Sequence, residues 1–310
     1  MKFCPITYEK ISDQESYSRR GLRLLSPQLK NLHSLELSAA EQRMQAIAFV
    51  GKMSIQGVQP KLSAQLKIKK ECFAIVDQYG HYILKPQSEH YPELPENEAI
   101  TMSLAATIHL EVPLHGLIYS KDNSMTYFIK RFDRSGRNKK LAIEDFAQLL
   151  GLNRNTKYDS SMEKVVTVIK NFCTFPKIEL VKLFKLTLFN FLIGNEDMHL
   201  KNFSLITRDK KVMLSPAYDL LNSTIAHANP TEEIALSLNG KKNNLKKRDL
   251  IEYFGIERLA LNEIVISEIM HEIKMVIPLW KKLIGNSFLS KRMQKKYLDL
   301  LSKRAQILEI

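Results

Sequence analysis

Residues 190–206 read NFLIGNEDMHLKNFSLI, apolar at both ends but carrying two acids, an imidazole, an ammonium and two amides between Asn195 and Asn202. Burying unpaired polar groups costs free energy, so this polarity needs partners. Gly194 can end the preceding helix and turn the chain away from it. Asp197 then stands where an apolar element gives way to loop, with Lys201 four residues on and Asn202 five. An acid that receives a hydroxyl proton, a nearby lysine and an amide able to bind a cation form a loop suited to phosphoryl transfer. The same residues also suit an ordinary loop that satisfies itself through side-chain hydrogen bonds.

Working outward, FSLIT (203–207) and KVMLS (211–215) read as two short strands. A hairpin of these two returns Asp219, in SPAYDLL, beside Asn202. A carboxylate and an amide oxygen converging there suit Mg²⁺, which prefers a few oxygen ligands plus substrate phosphates. Asp219 alone equally suits a helix cap. Helical patterns dominate around this core, at 144–150, 161–171, 178–193, 248–254, 259–285 with a break at Pro278, and 290–307. Upstream the period changes. LSAQLKIK (62–69), CFAIVD (72–77) and HYILK (81–85) predict a small antiparallel meander, LPENEAITMSLAATIHL (94–110) a helix, and HGLIYS (115–120) and MTYFIKRF (125–132) two further strands. The chain therefore divides into 1–130, a sheet with a helix, and 131–310, mainly helical. Residues 1–50 offer a helix at 37–50 and little else.

Three upstream stretches carry groups that can serve a phosphate ligand. Lys85 ends an apolar strand, and Glu98, thirteen residues on in the first turns of a helix, can pair with it and aim it at phosphate oxygens; an exposed lysine and a first-turn glutamate are the plain alternative. In SIQGVQPKLS (54–63), Gly57 permits close backbone approach and Lys61 supplies charge, although a turn before a strand needs no more than this. In YFIKRFDR (127–134), extended backbone can bind an adenine edge with Ile129 or Phe132 as an apolar wall. There Arg131, Asp133 and Arg134 can also form a local salt-bridge network.

Lys and Arg number 46 against 33 Asp and Glu, a formal charge of +13. That excess permits attraction to phosphate without selecting nucleotide, nucleic acid or membrane. Cys4, Cys72 and Cys173 have neither disulfide-framework nor zinc spacing. No uncharged apolar run reaches membrane-spanning length and no secretion signal opens the chain, so a cytoplasmic protein without membrane association is expected.

Taken together, SIQGVQPKLS, YILKP, NEA, YFIKRFDR, EDFAQLLG, IGNEDMHLKNFSL and LSPAYDLL resemble, in this order, the HipA family of serine/threonine-protein kinase toxins. The resemblance runs from about Ser54 to Leu221, with weaker helical similarity beyond. It implies an α/β two-lobed protein-kinase-like fold, with a small N-terminal lobe of antiparallel sheet and a helix and a larger, mainly helical C-terminal lobe. It further implies transfer of the γ-phosphoryl group of ATP, with Mg²⁺, to a protein hydroxyl. Carried over by position, Asp197 is the catalytic aspartate with Lys201 beside it, Asn202 and Asp219 are the metal ligands, and Lys85 is the phosphate lysine paired with Glu98. Gly57, Val58, Gln59 and Lys61 match the phosphate-covering loop, Ile129, Arg131 and Phe132 lie where the nucleotide base binds, and Ser54 matches an inhibitory autophosphorylation site. His199 completes the loop in a structural role. Only 53 residues precede Ser54, as in the short, HipT-like form, whose missing N-terminal subdomain is supplied by a separate small protein. MKFCPIT has a single cysteine where some relatives have a pair, and SIQ has one serine where some short relatives have two. The implied substrate is a translation protein such as an aminoacyl-tRNA synthetase. The implied partners are antitoxins, one of them DNA-binding, so the chain itself is not expected to read DNA sequence. The alternative is a phosphorylation-silenced or inactive module that mainly binds antitoxin.

Overall fold

The fold is that of a computed structural model, which describes residues 2–49, 59–136, 139–153, 155–227 and 232–310. Two units can be distinguished: Met1–Ile100, Pro113–Asn138 and Leu283–Lys291 form one, and Thr101–Val112, Lys139–Lys282 and Arg292–Ile310 the other.

The first unit begins with strands β1 (Lys2–Phe3) and β2 (Lys10–Ile11) and helices α1 (Arg19–Leu25) and α2 (Ala39–Phe49). It continues through β3 (Leu62–Lys67), β4 (Cys72–Ile75), β5 (Tyr82–Lys85), helix α3 (Leu94–Thr107, of which 94–100 belong to this unit and 101–107 to the other), β6 (His115–Tyr119) and β7 (Met125–Lys130). The five longer strands form one antiparallel sheet in the order β4-β3-β5-β7-β6. A meander would have placed β4 in the middle; instead β3 takes that place, with Ala64 opposite Ile75 on one side and Tyr82 on the other. The reason is burial: Leu62 and Ala64 are fully inaccessible, and such a strand needs neighbours on both edges.

Alternation along these strands decides what each face carries. Leu62, Ala64, Tyr82, Leu84, Ile118 and Phe128 point into a core completed by Cys4, Ile6, Tyr17, Leu22, Leu29, Leu32 and Leu35. The first 50 residues, uninformative by pattern, thus supply much of one wall of this core. Lys85, one step out of phase with Leu84, faces the other way together with its cross-strand neighbour Tyr127, whose ring lies 5.6 Å from the Lys85 ammonium.

In α3, the Glu96 carboxylate accepts two hydrogen bonds from Gln87 Nε2, at 2.7 and 2.8 Å. Burial nevertheless pushes its pKa up from an ordinary 4.5 to about 7. The folded state therefore holds a proton that the unfolded chain releases near pH 4.5, and stability is lost as pH rises from there through 7. Glu96→Gln removes this titration. Between pH 5 and 8, urea unfolding should show the wild type losing ~2–3 kcal/mol relative to the variant.

Two-residue strands β8 (Arg134–Ser135) and β9 (Lys139–Lys140) follow, and then the second unit contains β10 (Ile143–Asp145), α4 (Phe146–Leu149), α5 (Met162–Phe172) and α6 (Pro176–Ile193). After these come β11 (Ser204–Arg208), β12 (Lys211–Leu214), α7 (Ser223–Ala226), a π-helical segment at Asp249–Arg258, α8 (Glu263–Gly285, of which 263–282 belong to this unit) and α9 (Lys291–Leu308, of which 292–308 do). Helix α6 is buried along most of its length and forms the axis of this unit. Pro278 does not break α8. It sits on the exposed side, where water can take the carbonyl that its missing N–H leaves unpaired, while Ile277 and Trp280 remain buried on the opposite side. Trp280 Nε1 also donates to Thr107 Oγ1 at 2.7 Å.

Candidate active site

Helix α6 ends at Gly194, which adopts φ 70° and donates its N–H to the carbonyls of Asn190 and Phe191. The loop beyond is tied on both sides. The Gly194 carbonyl accepts from Thr224 N at 3.1 Å and Thr224 Oγ1 at 2.9 Å, and Glu196 N–H donates to Ser223 Oγ at 2.6 Å. Asn195, buried, donates to Asn190 Oδ1 at 3.0 Å and accepts from Asp197 N at 3.1 Å. The polarity of the opening stretch is thus largely spent within the loop and on the segment after Asp219.

An added Cβ at Gly194 would lie 2.4 Å from Leu300 Cδ2 and 2.7 Å from Thr224 Oγ1. Gly194→Ala should cost ~2–4 kcal/mol, combining left-handed strain with overpacking. Gly240 is the control: it has φ 72° but no atom within 4 Å of an added Cβ, so Gly240→Ala should cost only ~1–2 kcal/mol. Urea unfolding of the two variants measures the difference.

Asn202 Nδ2 donates to the Asp197 carbonyl at 2.8 Å. That bond orients the amide, leaving Oδ1 without a protein partner among the described residues. The returning segment is anchored beside it. Strands β11 and β12 pair, Leu205 opposite Leu214, Ser215 N–H donates to the Ser204 carbonyl at 2.9 Å, and the Tyr218 hydroxyl donates to the Lys201 carbonyl at 2.9 Å. Asp219 follows with φ 57°. Both Asp197 and Asp219 act electrostatically on the buried His199 ring, so the two acids share one neighbourhood. An amide oxygen without a protein partner among the described residues and a carboxylate on the returning segment are hard-oxygen donors of the kind Mg²⁺ takes.

His199 itself is held below its ordinary pKa by burial, with the Lys157 ammonium adding to the effect against the two acids. Lys157 Nζ lies 2.7 Å from Nε2, so that nitrogen acts as acceptor and the proton is assigned to Nδ1. Lys201 Nζ reaches Asp145 Oδ2 at 2.8 Å, the carboxylate that also caps α4 through Gln148 N–H. The EDFAQLLG stretch therefore positions the loop lysine.

In the first unit, Lys85 and Glu98 form a buried pair, with Nζ–Oε distances of 2.7 and 2.9 Å and only 4% and 2% exposure. Ile129 is buried in β7, and Phe132 is partly exposed in the following turn. Arg131 is bidentate to Asp133 at 2.9 and 2.8 Å, Arg134 also contacts Asp133, and the Arg131 N–H donates to the His81 carbonyl at 2.8 Å. The local salt-bridge network is thus present, and this N–H is committed within the sheet. Gln59 and Lys61 are partly buried ahead of β3. Ser54, Gly57 and Val58 lie outside the described residues.

The sequence reading did not single out Tyr158, Lys157, Tyr218, Ser223 or Thr224. The Tyr158 hydroxyl donates to Asp197 Oδ1, and Tyr218 connects the two acid-bearing segments. Tyr218 carried a signal, an aromatic hydroxyl next to Asp219 in an otherwise small-residue loop. Surface depressions of about 440 and 530 Å³ in the second unit, lined by residues such as Ile251, Met270 and Leu308 or Lys246 and Arg248, contain none of these groups.

Residues 53–280 match the HipA-like C-terminal domain. A Haemophilus influenzae protein named "Putative kinase" is 31% identical over 313 residues, covering 88% of each chain. The serine/threonine-protein kinase toxin HipA of Shewanella oneidensis is 29% identical over 190 residues, which are 55% of this chain and 43% of that protein. Among solved structures, a chain of the Shewanella oneidensis complex of HipA, HipB and operator DNA gives a TM-score of 0.70 at 21% identity, covering 91% of this chain and 74% of that one. The Helicobacter pylori proinflammatory kinase CtkA gives 0.53 at 18% identity, with 73% and 86% covered. These likenesses identify the fold as two-lobed and protein-kinase-like, with the sheet in the smaller lobe and the helices in the larger. With the match extending over 53–280, more than half its length, the chain belongs to the HipA-like C-terminal domain family.

Proposed function

We propose that the protein is a Mg²⁺-dependent serine/threonine-protein kinase of the toxin type, transferring the γ-phosphoryl group of ATP to a hydroxyl on a translation protein, with an aminoacyl-tRNA synthetase as the first candidate. The observation that carries this reading is the Asn202–Asp197 hydrogen bond. It couples the proposed acid to the proposed metal ligand and leaves the amide oxygen open. Asn202 and Asp219 would hold Mg²⁺, which when bound neutralises triphosphate charge. Asp197 receives the acceptor O–H and takes its proton as the new O–P bond forms and the bond to ADP breaks. Lys85, held by Glu98, is assigned to phosphate oxygens, and Gly57, Val58, Gln59 and Lys61 to the covering loop. Ile129, Arg131 and Phe132 are assigned to the nucleotide base.

Ser54 is assigned as an inhibitory autophosphorylation site, since nearly two added negative charges beside a triphosphate site oppose its binding. An antitoxin pair, one DNA-binding and one a small subdomain-like protein, is assigned as partner. The named HipA–HipB–DNA assembly of the Shewanella structure supports the antitoxin part of that assignment by family, and the small subdomain-like protein rests on the resemblance alone. No helix among the described residues is long and apolar enough to cross a membrane, and a cytoplasmic site of action is proposed.

The test is phosphoproteomics after brief expression, comparing the intact chain with Asp197→Ala. Phosphoserine or phosphothreonine on a translation protein, present only with the intact chain, is the expected result. Identical phosphopeptide profiles would overturn the kinase reading and leave the antitoxin-binding module.

A further inference from the structure

The Asp197 backbone is held from both directions, its N–H by Asn195 and its carbonyl by Asn202. Its carboxylate is held differently. Among the described residues, the hydrogen bond given to it is that of the Tyr158 hydroxyl, to Oδ1. Tyr158 comes from the loop between α4 and α5, and that loop is fastened to the catalytic loop at several points. The Tyr158 ring meets His199 edge-on at 5.0 Å and 82°, Lys157 Nζ reaches His199 Nε2 at 2.7 Å, and the Leu200 N–H donates to the Lys157 carbonyl at 3.2 Å. Lys157 Nζ also lies 4.8 Å above the Tyr158 ring.

We propose that Tyr158 is a positioning residue for the phosphoryl-transfer step, holding Asp197 Oδ1 so that the other carboxylate oxygen is presented to the acceptor hydroxyl. The inference rests on the reading of Asp197 as the catalytic acid. A carboxylate has two oxygens and about four lone-pair sites, so it can receive the acceptor O–H while Tyr158 stays in place. Partial desolvation of a side chain that stays in part exposed, and the adjacent acid, both raise the phenol pKa, keeping Tyr158 a donor at neutral pH rather than a competing base. Without this bond, the carboxylate rotates among staggered positions about a backbone that remains fixed, and fewer of those positions face the acceptor.

Tyr158→Phe retains the ring against His199 and lacks only the O–H. Label transfer from radiolabelled MgATP to the chain itself and to dephosphorylated casein is the assay. The maximal rate should fall about ten- to a hundredfold, the range that one hydrogen bond to a charged group supplies. The ATP concentration for half-maximal rate and the melting temperature should not move, which separates positioning from loss of fold. A second reading is independent of turnover. In protein carrying 3-fluorotyrosine, the Tyr158 resonance, assigned by its loss in Tyr158→Phe, should shift on Asp197→Ala. Full or increased activity of Tyr158→Phe beside an inactive Asp197→Ala would overturn this inference alone, making the phenol a bystander or a plug. An unmoved fluorine resonance would overturn it as well. A wild type that transfers no label to either acceptor would overturn the kinase reading, and the inference with it.

Discussion

Asp197→Ala is expected to lower phosphoryl transfer by about 10²–10⁴-fold, or ~3–5 kcal/mol of transition-state stabilisation. The loss should be confined to the chemical step. Asn202 is held by the Asp197 carbonyl rather than its side chain, so alanine leaves the amide oriented and its oxygen available. The Gly194, Glu196 and Asn195 contacts that define the loop are likewise independent of the carboxylate. MgATP affinity, measured by titration calorimetry, should therefore change by less than about threefold while single-turnover label transfer collapses. Asp197→Asn sharpens the test, because an amide oxygen can still accept from Tyr158 but cannot take a proton from the acceptor. It should be nearly as inactive as alanine. Retained transfer in both variants would remove Asp197 from the mechanism. Loss of MgATP binding together with transfer would show that the carboxylate serves the metal instead.

What was legible in the sequence was local. The end of α6 at Gly194, the β11–β12 hairpin and the helix over 94–107 follow from one glycine, alternating apolar residues and a first-turn proline. What was not legible depends on distant partners. Leu29, Leu32 and Leu35 lie in loops with no helical or strand period, yet they fill the core under the sheet. The order β4-β3-β5 depends on which strand is buried on both edges, which alternation within one strand does not reveal. Tyr158 reads as one aromatic in a polar loop until the fold sets it on Asp197, 39 residues away. Pro278 suggested a helix break because the rule for prolines in helices says nothing about which side faces water.

The buried pair Lys85–Glu98 allows stability and function to be separated. Both oxygens of Glu98 lie within 2.9 Å of the Lys85 ammonium, and both residues are nearly inaccessible, so the pair was desolvated at a cost that mutual attraction offsets. Lys85→Met removes the cation and leaves a carboxylate in a low-dielectric setting, which should cost ~3–5 kcal/mol in urea unfolding at pH 7. Lys85→Met with Glu98→Leu removes both charges and should recover stability to within ~1 kcal/mol of wild type, since apolar replacements of a buried ion pair are often neutral. If the pair exists only to hold α3 against β5, the double variant should also recover MgATP affinity. The kinase reading requires the opposite, because phosphate oxygens need the ammonium itself and no apolar side chain replaces it. A stable double variant with MgATP affinity reduced at least tenfold is the expected result, and one that binds as tightly as wild type would reduce Lys85 to a structural residue.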